Sequence, residues 1–205
     1  MASFFAGHLR LTVVVVLLFV LGLGLGAWAV RALDAAQRAE LTTYLEELGR
    51  ILGDNAQGRG GPQILRASVD QNLRTLAIMW LGGLVVIGVP LVLFLVVVRG
   101  FAIGFTVGFL ASEAGWRGVL FSLGAVLPHN LLAVPALWAA AVASLSFAGK
   151  VWTARRRRWA GAFLGDVVAY VGVGITVVCV LGLASLVEAY LTPALIRLLG
   201  SLVGT

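Results

Sequence analysis

Leu11 to Val30 is twenty residues of chain without one charged side chain. As a helix it reaches about 30 Å, the thickness of a bilayer's hydrocarbon core. Leu76 to Val98 is uncharged over a similar length, and a third run extends from about Phe163 to Val187. Between these lies Phe101 to Phe147, an apolar block of 47 residues interrupted by only Glu113, Arg117 and His129, long enough for two crossings. With 60% hydrophobic residues and a mean hydropathy of +1.03, the chain is well above the apolar share of about 45–50% usual in soluble domains. The pattern predicts an all-α fold: a polytopic integral membrane helical bundle of about five transmembrane helices.

The net charge of +6 is unevenly placed. Five of the fifteen basic residues lie in Lys150 to Arg158, and a cluster beside an apolar run marks the cytoplasmic side of a membrane. Arg155, Arg156, Arg157 and Arg158 are therefore read as a topology signal in contact with anionic headgroups of membrane lipid, not as a nucleic-acid site. The first apolar run exceeds the 7–15 residues of a cleavable signal core, so it is expected to stay as an anchor. The predicted topology has the N-terminus in and the C-terminus out. Its segments are span 1 at 11–30, an extracytoplasmic helical hairpin at 33–75, span 2 at 76–98, span 3 at 100–122, span 4 at 124–148, a basic loop at 150–162, span 5 at 163–187 and an outside tail helix at 192–203. Span 3 is expected to be short or tilted, because Phe101 to Ala111 reaches only about 16 Å.

In the polar segment, Leu41, Leu45, Leu48 and Ile51 recur at helical spacing, an amphipathic stripe suited to docking a partner or packing on the second arm of the hairpin. Gly53 to Pro62 breaks that helix. The tail opens with Thr192 as an N-cap and Pro193 at the first helical position.

Gly100, Gly104 and Gly108 fall every four residues and line one helix face. Membrane helices associate by close packing over small residues, so this face marks a tight contact, within the chain or across a homodimer. The stretch "AVLPHNLLAVPA" places Pro128, His129, Asn130 and Pro135 inside an apolar run. Each proline lacks the N–H that a carbonyl four residues back requires, and lipid offers no water in its place. His129 and Asn130 are donors, so the expectation is a kinked helix whose polar groups are satisfied in a protein-packed interior. A proton relay or ligand role for His129 would need an acid, and Glu113, Asp166 and Glu188 all sit near span ends.

Nothing in the pattern favours an enzyme. Ser122 and His129 share a helix face but lie about 10 Å apart along it, too far for a nucleophile and its base. There is no HExxH, P-loop or CxxC, and Cys179 is alone, so no cofactor and no metal are expected. Glu113 and Arg117, at i and i+4, read as a surface ion pair.

The stretch "GFTVGFLASEAGWRGVLFSLGAVLPHNLLAVPALWAAA", Gly104 to Ala141, resembles the central signature of the stage II sporulation protein M family. It carries the Gly-Phe repeat, the short polar turn, Phe-Ser and Leu-Pro-His-Asn in the family's order. The wider family of related membrane proteins has Gly after the histidine and a Glu soon after. Here Asn130 and apolar residues around Ala133 stand in those places. The resemblance implies a membrane scaffold for engulfment, acting at the sporulation septum and engulfing mother-cell membrane. It also implies as partners the stage II sporulation proteins D and P, which cleave peptidoglycan outside the membrane. A reading of another class is a small permease, working as a dimer, with its polar site at Pro128, His129 and Asn130.

Overall fold

The computed structural model describes residues 7–44, 61–85, 88–156 and 160–196, apart from the side chains of 153–163. Among the described residues the chain is almost wholly helical, as an all-α membrane bundle requires, with no strand. Helix α1 is Leu9–Ala29, ending in a short 3-10 turn, Val30–Ala32. Helix α2 covers 35–44. Helix α3 is Gly61–Leu84. The run Val89–Arg156 is divided at Gly115 into α4, 89–114, and α5, 116–156. Helix α6 is Ala160–Leu186 and continues through a π-helical turn, Val187–Leu191, into further helix described as far as residue 196. Leu9–Ala32, Val89–Trp152 and Leu164–Ile196 are long and apolar enough to cross a membrane.

The turn between α4 and α5 depends on one glycine. Gly115 has φ +56° and ψ −135°, a conformation that glycine alone adopts readily. Gly118 then lies against the Leu110 carbonyl, where a β-carbon would collide with backbone. The two helices run back antiparallel, which brings Arg99 beside His129.

Helices α1 and α4 run parallel, and their contact is made by glycines from both sides. Gly100 lies on the Phe19 carbonyl, Gly104 on Leu23 and Gly108 on Ala27, while Gly22 and Gly26 receive the Val97 and Phe101 carbonyls. A methyl group at Gly104 or Gly26 would overlap backbone on the facing helix. This glycine face is thus spent within the chain. Phe101, Phe105 and Phe109 stack along α4 beside it, with ring centroids 6.0 and 6.3 Å apart.

Helix α5 occupies the centre. Its alanine-rich stretch is buried from Ala133 through Ala143 at nearly every inward position, and small side chains let the neighbours close around it. Trp138 meets Phe19 of α1 edge-on, centroids 5.3 Å apart at 78°. Ser144 donates to the Met79 carbonyl of α3 (2.9 Å), and Tyr170 of α6 donates to the Trp80 carbonyl (2.8 Å) with its oxygen 3.0 Å from Ser144 Oγ. Gly83 makes room for this knot, since a β-carbon there would strike Ser144 and the Tyr170 hydroxyl.

The helix limits differ from the expected spans. The run 76–98 is not one helix: its first part closes α3, and its second part opens α4 beyond Gly88, whose N–H bonds the Val85 carbonyl. Pro90 explains the division, because proline fits the first turn of a helix and disrupts an interior. Consequently α4 is a helix of about 39 Å, not a short element, and Arg99 sits inside it instead of at a loop. The second arm of the expected outside hairpin is also different. Residues 61–75 belong to α3, which packs antiparallel to α6 with Gly61 against Tyr190 and Ser68 against Ser185. Finally, Thr192 is not a helix N-cap: it has helical φ/ψ of −58° and −48°, and its hydroxyl donates back to Val187. Pro193 next to it has no N–H with which to hold an α-helical bond, and the turn before it is widened to π geometry.

Candidate functional site

Residues of four helices converge at one level of the bundle, about 20–24 Å from the Gly115 turn by helix rise. Pro128 lies inside the continuous helix α5 next to His129, the π turn carries Glu188 on α6, and α3 presents Ser68 and Asn72 inward. Arg99 of α4 completes the set.

The guanidinium of Arg99 lies with one terminal nitrogen 3.1 Å from His129 Nε2 and 3.5 Å from Asn130 Oδ1. An arginine only donates. His129 Nε2 must therefore accept, which leaves the proton of a neutral ring on Nδ1. That nitrogen is 3.2 Å from Glu188 Oε2, at ion-pair distance but off the line of a hydrogen bond. The Ser68 hydroxyl donates to the same Glu188 oxygen. Ser68 and Ser185 hydroxyls are 3.0 Å apart, and the Asn72 amide donates to Ser185 at 3.1 Å. Since each hydroxyl has one proton, the chain has a direction: Asn72 to Ser185 to Ser68 to Glu188. Arginine, histidine and glutamate thus form a row between α4, α5 and α6, and a row of uncharged donors from α3 and α6 ends on the same carboxylate.

Burial is graded along the network. Ser185, Asn72, Ser68 and His129 are buried, whereas the Glu188 side chain is 36% exposed. Arg99 Nε is buried without a partner among the described residues. A charge placed among apolar helices is costly unless paired, so the Arg99 and Glu188 charges stabilise one another through His129.

Of the residues that the sequence singled out, Gly100, Gly104 and Gly108 of α4 pack against α1 and take no part in the network. His129 and Asn130 lie in it, but they do not mend the proline gap as expected. Asn130 donates back to the Val126 carbonyl at 2.7 Å and turns its oxygen to Arg99, and His129 reaches across to α4 and α6. Pro135 is one turn further on, within the buried alanine stretch. Leu41 is half-buried on α2; Leu45, Leu48 and Ile51 lie outside the described residues, as do Arg157, Arg158 and the side chains of Arg155 and Arg156.

Sequence reasoning missed Arg99, Glu188, Ser68, Asn72 and Ser185. The acid that His129 was expected to lack is Glu188, placed near a span end because the apolar run was read as stopping at Val187. The signal for Arg99 was present: it has about ten apolar residues on either side.

At the Gly115 end, α2 is fastened to the bundle. Asp34 and Gln37 form a reciprocal capping box, Gln37 N–H to Asp34 Oδ1 at 2.8 Å and Asp34 N–H to Gln37 Oε1 at 3.1 Å. Arg38 donates to the Val30 carbonyl (2.7 Å) and to Glu113 (3.1 Å) beside the α4–α5 turn. Glu113 is therefore paired with Arg38 and not, as expected, with Arg117; the Gly115 break takes residues 113 and 117 off a common helix face. At the opposite end Lys150 and Asp166 tie α5 to α6 at 2.6 Å.

No curated protein and no solved structure matches the chain. The family profile described as Stage II sporulation protein M matches residues 15–193, a range that contains the glycine contact, the central helix and the whole polar network. That range is most of the 205 residues, and the chain belongs to the stage II sporulation protein M family, a family of sporulation-related membrane proteins.

Proposed function

We propose that this protein is a non-enzymatic membrane scaffold of the engulfment machinery, which localises or activates peptidoglycan-degrading enzymes, the stage II sporulation proteins D and P, at the septal membrane. The family match over 15–193 carries this reading. In this proposal the basic loop after α5 faces the cytoplasm, as the positive-inside tendency suggests. The Gly115 end, with α2 and residues 192–196, then faces the enzymes.

The geometry supports the scaffold at that end. Arg38 bonds α2 both to the end of α1 and to the α4–α5 turn, so a surface presented by α2 has a fixed relation to the bundle. Binding to such a surface avoids part of the ordering cost that a free segment would bring. The test is co-purification of protein P with this protein from sporulating cells. Converting Leu41, Leu45, Leu48 and Ile51 together to serine is expected to abolish capture while leaving the amount of membrane protein unchanged. Capture that survives refutes the docking assignment.

A second reading, the permease, draws on the polar network, because Glu188 supplies the acid that a relay through His129 needs. It meets an obstacle in the apolar core below that level, where Ala139–Val142, Met79 and Val177 are buried in one cluster. Proton or solute flux through the protein in liposomes would favour this reading over the scaffold.

A further inference from the structure

We propose that the small cavity between Arg99 and Trp138 is a binding site for one internal water molecule, which accepts hydrogen bonds from Arg99 Nε and Trp138 Nε1 together. This goes beyond the scaffold reading and does not depend on it.

Two buried donors border the same space. Arg99 Nε on α4 and Trp138 Nε1 on α5 are both buried with no acceptor among the described residues. Both residues line a cavity of about 10 Å³. Its other walls are Phe19 of α1, Met79 of α3, Val96 of α4, and Val134 and Leu137 of α5, all buried apolar side chains. A guanidinium and an indole only donate, so the two nitrogens cannot satisfy each other. The apolar walls offer no acceptor either, and buried N–H groups in folded proteins are seldom left unpaired.

Volume and charge select the ligand. A void that holds one water needs about 10–15 Å³ and at least two polar partners. The cavity has that volume and that number of donors. A water oxygen has two lone pairs, one for each nitrogen. An anion also accepts, but the Arg99 charge is already answered by Glu188 through His129, so a second negative charge among these walls would be uncompensated. The protons of the water need acceptors in turn. Pro135 has no N–H, so the Leu131 carbonyl lacks its helical donor. Leu131 is seven residues from Trp138 and so on the same stripe of α5, and ordered water is one means by which a membrane helix mends a proline gap.

Such a water fixes the guanidinium from both ends, at Nε by the water and at a terminal nitrogen by His129. It also joins the polar network to the apolar layer in which Trp138 meets Phe19.

The test uses the full chain in detergent micelles, isotopically labelled at the tryptophan indoles. The Trp138 signal is the one of six that disappears in Trp138→Phe. In a rotating-frame Overhauser spectrum its indole proton is expected to give a cross-peak at the water frequency, opposite in sign to the diagonal. That sign marks contact with a long-lived water and separates it from proton exchange. Val134→Ile keeps both donors and adds one methylene to the cavity wall; it should expel the water and erase the cross-peak. Arg99→Met removes one donor and should weaken it. Circular dichroism on each sample checks that the helices are kept. A parent protein with no such cross-peak overturns the proposal, whether the indole N–H rests on the Phe19 ring or the cavity takes an anion. So does a cross-peak that persists in Val134→Ile, or one as strong in Arg99→Met as in the parent.

Discussion

Replacing Arg99 by methionine tests whether the polar network is a coupled unit or a set of separate contacts. Methionine matches the length of the arginine stem and removes the guanidinium, which leaves His129 Nε2 without its donor and Glu188 without its cation. Removing one partner of a fully buried ion pair costs about 3–5 kcal/mol. Glu188 is 36% exposed, so part of that penalty is screened, and the expected loss for Arg99→Met is about 1–3 kcal/mol. Glu188→Met should cost a similar amount, since it strands Arg99 and the Ser68 hydroxyl. In the double variant no charge remains, and its loss should fall below the sum of the two single losses by about 1–2 kcal/mol. Reversible unfolding of the purified protein in mixed micelles, followed by circular dichroism over a denaturing-detergent titration, gives all four free energies. Losses that add to within about 0.5 kcal/mol would refute the coupling through His129, because independent sites behave in that way.

At the α1–α4 contact, Gly104→Leu drives a side chain into the Leu23 backbone, and a loss of about 1–3 kcal/mol is expected in the same titration, with Gly24→Leu, which faces open space, as the near-neutral control. Tyr170→Phe removes the hydroxyl that holds the Trp80 carbonyl but leaves Ser144 on Met79; a loss of about 0.6–1 kcal/mol should register as a small shift in the midpoint. Arg38→Ala frees α2 from Glu113 and Val30. It should raise the mobility of a spin label at Glu40 while changing bundle stability by no more than about 1 kcal/mol, and a label that stays immobile would show that other contacts hold α2.

Hydropathy made the helical membrane bundle legible, because an apolar run of twenty residues has few other folds open to it. What it did not give was where each helix begins. The uncharged run 76–98 looks continuous on a scale that counts only transfer energy, and such a scale does not register the missing N–H of Pro90. Reading Gly88-Val89-Pro90 as a break moves the start of α4 to Val89, and Arg99 then falls well inside a helix. Helix α3 was hidden for the opposite reason. Its first half is polar enough to resemble a loop, yet Ser68 and Asn72 lie four residues apart and so on one face, where Ser185 and Glu188 meet them. One chain cannot reveal such matching between distant segments by periodicity, since the partner residues are more than a hundred positions away. The glycine face of α4 was legible as a face; its complement, Gly22 and Gly26 of α1, was passed over because glycine is frequent in membrane helices.

The parallel seating of α1 against α4 constrains how the protein is made. A chain leaving the ribosome yields α1 first, and its destined neighbour α4 follows only after α3 has been made. During that interval the notch at Gly22 and Gly26 lacks the Val97 and Phe101 carbonyls that later close it. Biogenesis therefore includes a waiting step, and α1 is a cradle prepared in advance for a segment not yet synthesised.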